Sequence, residues 1–541
     1  MFRTRGMRLT IATITLCSSL WAPAAEVPPG VKLAPIQHLV RGNSAEVESL
    51  DPHKTTGMPE ANIMHDLLEG LVSFDIQGEI VPGVAKTWQC SSDQKQWTFW
   101  LRPEAKWSNG EPVQAKDFVY AWRRLADPQT ASPYSSYLHE MRLQNSAEVI
   151  AGQQSIEQLG ISAVDAYTLQ LTLSQPIAYL LKMLAYQVLK PVHRATLEKH
   201  GDRWTQPGNY VGNGAYQLEK WVVNEYINLI RNQRYWDNRK TVIDQVKYLP
   251  LNSQEEIERY RSGEIDMIYG DVPPSAFKRL QQELPDHIQK IPSMATYYYA
   301  FNMRKPPFNN EKVRKALALT IDKKYLVETV KGGWNTIAHN FTPASCDIPT
   351  AVPDWASWPH SKRVKLAKQL LHEAGYNKNK PLKFSLTYGN NMEENARLAT
   401  AISLQWKKVL GIEVTLEGKE WKNYLENLAS GNFQMARRYW IGDYYDPTAF
   451  LNQLLPTNSG NRFGYQNARF TTLLKQALSE FDELKRKSYY QQAEAQLTQD
   501  NPIIPLYHNV MARLIQPYVK GYSVKNPMKI VHTKDIYLVQ Q

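Results

Sequence analysis

A mixed α/β fold is predicted by three features of the chain. Short segments of strand composition alternate with amphipathic helical segments, the order that builds sheets covered by helices. The segment from Leu382 to Leu416 reads as strand, helix and strand in turn, a βαβ pattern. At 541 residues the chain is long enough for two or three domains and a large core, and its composition is not that of a disordered protein.

Each element has a local reason. Trp97–Leu101 is strand-like in composition, and Thr168–Leu173 adds period-2 alternation. Tyr297, Tyr298 and Tyr299 fall on a strand, where alternation sends one ring to the core and another to a cleft. Ser361 is placed to cap a helix whose apolar stripe is Val364, Ala367, Leu370, Leu371 and Ala374, with Gly375 ending it. Leu382–Tyr388 alternates as a strand, a helix runs through Trp406 to Leu410, and Ile412–Leu416 is the strand that follows. No repeat, low-complexity tract or flexible linker appears, so any division into domains arises from the chain crossing between lobes.

Arg3, Arg5 and Arg8 precede an apolar run from Leu9 to Trp21, and Ala22-Pro23-Ala24 supplies a cleavage site. Residues 1–24 therefore read as a secretory signal, the run being shorter than the roughly 20 residues a membrane-spanning helix needs. Leu16, rather than a small residue, stands before Cys17, so the mature chain is expected to begin near Ala25, unlipidated, in the periplasm of a Gram-negative cell. No later apolar stretch reaches spanning length. Removal of the three arginines lowers the formal charge from +11 to +8, spread without a basic run, which argues against nucleic acid as a partner. Only Cys90 and Cys346 remain, expected as two separate, mostly buried thiols in a fold held by its core.

No H-E-x-x-H, G-x-S-x-G, Walker, C-x-x-C or G-x-G-x-x-G pattern is present, so neither an enzyme, a cofactor nor a metal site is expected. The 12 histidines lack ligand spacing. His65 and His372 are expected at the surface or as caps, and Glu393-Glu394 on a solvated helix end. The densest chemistry lies in Ala436–Pro447, where Arg437, Arg438, Trp440 and Asp443 bring together cations, an aromatic and a carboxylate. Those groups suit a zwitterion such as a peptide, whose two charges must both be answered away from water. The same Asp-Tyr-Tyr-Asp-Pro run also reads as a turn beside a core tryptophan.

The order of motifs along nearly the whole mature chain resembles the periplasmic oligopeptide-binding proteins of ABC importers. The matching stretches are Ser49–Lys54, Asp66–Leu71, Ala105–Gly110, Ala131–Tyr134, Gly212–Tyr216, Arg259–Asp266 and Lys305–Asn309. The resemblance implies a two-lobed clamp of the type II periplasmic binding-protein class with an extra domain, closing by a hinge over an extended peptide. It places lobe I in 25–68, 194–294 and 511–541, the extra domain in 69–193 and lobe II in 295–510. It further implies that Asp443 pairs with the ligand's α-ammonium, that Arg437 and Lys331 face its carboxylate, and that Tyr134, Tyr298, Trp421, Trp440, Met58 and Gly442 line the cleft. The implied partners are a short peptide and an inner-membrane permease with its ATPases, the protein itself acting as a monomer.

The chain also departs from that pattern. Oligopeptide binders often carry an acid where Thr56 stands, a second cleft arginine at Leu428 and a histidine near Asn395. They commonly bridge cysteines at the positions of Ala295 and Ile441. With Tyr298–Asn302 and Trp440–Asp443, these departures make the chain similar also to the branch that binds a murein tripeptide, and fewer cleft cations should narrow the usable ligand lengths. Readings of another class are a periplasmic chaperone and a hydrolase built on the same clamp. An Asp443 salt-bridged to an amine would be a poor general base.

Overall fold

The computed structural model describes residues 27–346, 348 and 352–540; the expected export signal, with Cys17, lies outside them. Three larger sheets carry the architecture. The first orders His38–Gly42, Gln245–Leu249, Tyr226–Arg231 and Tyr216–Val222, its outer pair parallel and the rest antiparallel. The second is antiparallel throughout, with Ala85–Cys90, Gln96–Leu101, Thr168–Thr172 and Ile161–Ala163 side by side. The third has six strands in the order Thr336–Ile337, Ile503–Leu514, Ile288–Phe301, Met435–Ile441, Lys383–Gly389 and Glu413–Lys419.

The expected strands and helices of the βαβ segment are present, with the helix spanning Glu393–Leu410. Ser361 is not a cap: the helix His360–Glu373 starts two residues earlier than such a cap implies, after Pro359, whose ring fixes φ there, and Ser361 lies in the first turn. Gly375 follows in the left-handed region at φ +87° with its N–H on the His372 carbonyl at 3.0 Å, a conformation costly for other residues.

Buried side chains form three cores. The largest runs from Leu39 to Tyr248 and takes in Tyr424, Tyr444 and Phe450 from the later chain. The second gathers Tyr297, Tyr299, Leu386, Trp406 and Leu506, and the smallest gathers Leu249, Phe277, Val510 and Leu514. The long strands Ile288–Phe301 and Ile503–Leu514 pair with each other and cross from the smallest core to the second, with a break in register between Pro292 and Thr296. Two strands are thus the shared spine of otherwise separate packing units.

Trp406 shows what holds the second core. It is fully buried, packs edge-on against Phe384 at 5.7 Å and donates its indole N–H to the Leu317 carbonyl at 3.2 Å. Trp406→Phe keeps a ring but removes that hydrogen bond, leaving the Leu317 carbonyl to the Thr320 hydroxyl at 3.3 Å, and leaves a small void. It is expected to destabilise the unliganded protein by about 1–3 kcal/mol, read as a lower urea midpoint.

Candidate functional site

The strand Met435–Ile441 pairs along its whole length with Ala295–Phe301. On its other side Lys383–Gly389 pairs with it only at Met435 and Ala436, so among the described residues no strand lies on that side of Arg437–Ile441. Helix Trp421–Ser430 reaches the start of this bare edge, where the Tyr424 hydroxyl donates to the Arg437 carbonyl. An open edge of this kind presents main-chain groups in the pattern an added extended chain would complete.

At the far end of that edge the chain turns at Gly442, whose N–H donates to the Met294 carbonyl at 2.9 Å. A Cβ there would stand 2.9 Å from a Phe450 ring carbon and 3.1 Å from the Met294 methyl, so glycine is what permits the close turn. Trp440 fixes the same turn through its indole N–H, which donates to the Ala449 carbonyl at 2.7 Å. Asp443 follows, half-buried, and among the described residues no ion-pair or hydrogen-bond partner holds it. Desolvation alone pushes its carboxyl up to about 6.

Facing Asp443 is a set of phenols from the earlier chain. Tyr186 donates its hydroxyl to that of Tyr134 at 2.9 Å and stacks on Tyr137 at 5.0 Å. Burial first, and then the charge of Asp443, push the phenols of Tyr137 and Tyr186 up, and Tyr134 responds to the same charge. Glu140, though exposed at its residue surface, is close enough to feel Asp443; desolvation first and then that charge push its carboxyl up to about 7. The surroundings of Asp443 are acidic and aromatic, suited to an organic ammonium group.

At the near end of the edge Arg437 is 8% exposed and forms no ion pair among the described residues. Its guanidinium lies over the rings of Tyr297, at 4.7 Å, and Tyr439, at 5.6 Å, and its Nε has no hydrogen-bond partner. Tyr297 sits opposite Tyr439 in the strand register, so the Arg437 side chain leans along the strand toward Asp443. Alternation places Arg438 and Trp440 on the other face.

Lys331, expected beside the ligand's carboxylate, donates to Glu394 Oε2 at 2.6 Å, and Tyr507 donates to the other oxygen of that carboxylate at 2.7 Å. Glu394 is therefore not on a solvated helix end; only Glu393 is exposed. Tyr298 is 1% exposed, packed against Phe341 at 5.0 Å, and its hydroxyl accepts from Arg438 Nε at 3.5 Å; all three tyrosines of the 297–299 run are buried rather than divided between core and cleft, because both faces of this central strand are covered. Trp421 is 40% exposed and stacks on Tyr424 at 5.4 Å, close to the bare edge. Met58, 42% exposed, opens the helix Met58–Leu67 in a distant part of the sequence and offers only apolar contact.

His65 is buried, not at the surface: its Nδ1 meets the Lys190 ammonium at 3.0 Å and its ring lies edge-on to His532, because the helix that carries it is packed on nearly every side. His372 is exposed. Cys90 and Cys346 are free thiols, Cys346 buried against the Met294 sulfur. Leu428 is buried in the core, and Ala295 lies directly opposite Ile441 in the strand register. Sequence reasoning missed Glu140, Tyr186 and Glu394. Glu140 stands six residues beyond Tyr134, a spacing that carried no signal without the helical turn between them.

Among the described residues no group of three or more His, Cys, Asp or Glu could hold a metal ion, and no helix is long and apolar enough to cross a membrane. The model of the bacterial extracellular solute-binding proteins, family 5, matches residues 79–462. The periplasmic oligopeptide-binding protein OppA of Salmonella typhimurium is 46% identical over 521 residues, 96% of each chain. The unliganded open form of the periplasmic murein tripeptide-binding protein MppA superposes with a TM-score of 0.86 at 40% identity, covering 95% of this chain and 99% of that one. Haemophilus influenzae OppA in complex with the peptide RPPGFSPFR gives a TM-score of 0.77 at 39% identity, covering 94% and 100%.

Proposed function

Because the chain belongs to the bacterial extracellular solute-binding proteins of family 5, we propose that it is the peptide-binding subunit of an ABC importer, working in the periplasm and delivering short peptides to an inner-membrane permease. The observation that carries this reading is the bare edge of Arg437–Ile441, bracketed by an unpaired carboxylate and an unpaired guanidinium. A peptide added to that edge with its ammonium at Asp443 and its carboxylate toward Arg437 runs antiparallel to the strand. Its main-chain hydrogen bonds ignore side-chain identity. Arg437, leaning toward Tyr439, and Asp443, just past the turn at Gly442, stand at the two ends of this short edge, where a short extended peptide would meet both.

The two strands shared between cores are the natural hinge, with 25–68, 194–294 and 511–541 moving as one lobe, 295–510 as the other and 69–193 as the extra domain. Residues 1–24 act as a cleavable signal without lipidation, and the protein serves as a monomer that binds without catalysis.

A murein tripeptide is the second reading. It is favoured by the shortness of the bare edge, which runs only from Arg437 to Ile441, and by Leu428, a core residue that supplies no further cation.

Calorimetry on the ligand-stripped mature protein with a free tripeptide, its N-acetylated form and the murein tripeptide tests both. Binding of the free form and loss on acetylation supports the peptide reading, and a preference for the murein ligand selects the recycling branch. No binding by any of the three refutes both.

The raised carboxyl of Asp443 sets a pH dependence. Pairing with an ammonium needs the ionised form, so affinity is full above about 7 and falls about tenfold by pH ~5, as Asp443 takes up its proton in the free protein. The sign for folding is opposite. A carboxyl with a raised folded pKa weighs against folding above about 6, and that burden is relieved as the pH falls. Calorimetry across this range reads the first effect, and thermal melting of the free protein reads the second.

A further inference from the structure

We propose that Glu394 is a specificity-determining residue that withholds Lys331 from the ligand's carboxyl end, so that peptide length is set by the span from Asp443 to Arg437 alone. The inference rests on the peptide reading above. Lys331 and Arg437 are both nearly buried cations on the same side of the six-stranded sheet, each beside tyrosines: Lys331 over Tyr507 at 5.1 Å, Arg437 over Tyr297 and Tyr439. They differ in one respect. Lys331 is held by Glu394 at 2.6 Å, and the second oxygen of that carboxylate is occupied by the Tyr507 hydroxyl, whereas Arg437 feels the Glu394 charge but makes no ion pair among the described residues.

The hold is built to persist. Glu394 lies in the first turn of an 18-residue helix, where the helix dipole favours a negative side chain. The next residue, Asn395, anchors that turn by donating to the Gly389 carbonyl at 2.9 Å and accepting from the Tyr297 hydroxyl at 3.3 Å. Asp271, the other acid that faces Lys331, is itself held by the Ala512 N–H at 2.7 Å. A ligand carboxylate arriving at Lys331 would have to displace Glu394 from its hydrogen-bonded ion pair and leave that acid half-buried, a larger penalty than arrival at Arg437 incurs, where the Glu394 charge is felt but not bonded. Two cations close together could serve peptides of two lengths; one of them neutralised leaves a single productive length.

Unblocked di-, tri-, tetra- and pentaalanine are the probes, titrated into the mature protein and into Glu394→Gln and Glu394→Leu. The wild type is expected to favour one length. Each variant is expected to gain about tenfold or more on at least one further length, and Lys331→Met placed in either background is expected to remove that gain. Melting curves identify any variant that does not fold, and Glu394→Leu, which keeps the bulk of the side chain, provides the second chance. Wild-type and folded variants sharing one length profile would overturn the inference while leaving the peptide reading intact. Failure of the wild type to bind any of the four would overturn both.

Discussion

Asp443→Ala is expected to weaken binding of an unblocked tripeptide by about 3–5 kcal/mol, two or more decades in Kd, because the ligand's ammonium would be enclosed without its anion. The pocket has no substitute in hand. Tyr134, Tyr137 and Tyr186 offer phenol oxygens and ring faces, and Glu140 is displaced toward the solvent side and already resists ionisation. Asp443→Asn, which keeps the shape and removes the charge, should lose nearly as much. An N-acetylated tripeptide supplies the matching control, since it has no ammonium to lose and its weak affinity should respond little to either substitution. Equal affinity of the wild type and Asp443→Ala for the free peptide would refute the pairing. Because Asp443 has no partner in the free protein and is desolvated there, its removal is not expected to destabilise the fold.

The elements whose period was clean were legible in the sequence: Thr168–Thr172 and Lys383–Gly389 lie where alternation puts them, and the helix carrying Val364, Ala367, Leu370 and Leu371 lies where its apolar stripe puts it. Ser361 failed as a cap because a preceding proline fixed the helix start first. The run Tyr297–Tyr299 is not divided between core and cleft because period-2 reasoning gives the face of a strand and not what covers that face; here Phe341, from a loop remote in sequence, covers Tyr298. The same limit explains Glu394. Beside Glu393 it looked like one of two exposed acids at a helix start, and only the fold brings Lys331, from 63 residues earlier, within reach. Asp443, Arg437 and Trp440 were legible as a group because the charges and the aromatic are contiguous in the chain. The bare edge between Arg437 and Asp443 was not, since it follows from Lys383–Gly389 pairing with only the first two residues of its neighbour.

Arg437→Met tests the other end of the ligand and is expected to weaken an unblocked tripeptide by about 2–5 kcal/mol, the range for truncating one partner of a buried charge pair. A peptide amidated at its carboxyl end completes a cycle: it should bind the wild type weakly and be nearly indifferent to the substitution. Arg437→Lys separates charge from geometry. An ammonium would keep the sign but not the planar fork that grips a carboxylate with two parallel hydrogen bonds, nor the same stacking on Tyr297 and Tyr439, so it should restore only part of the loss. If Lys restored all of it, the carboxylate would be held by charge alone, and the ring-stacked pose of Arg437 would be irrelevant to recognition. If Met changed nothing for the free peptide, the carboxyl end would be bound elsewhere, and the neutralised Lys331 would be the first residue to re-examine, with Glu394 yielding to the ligand on closure rather than shutting it out.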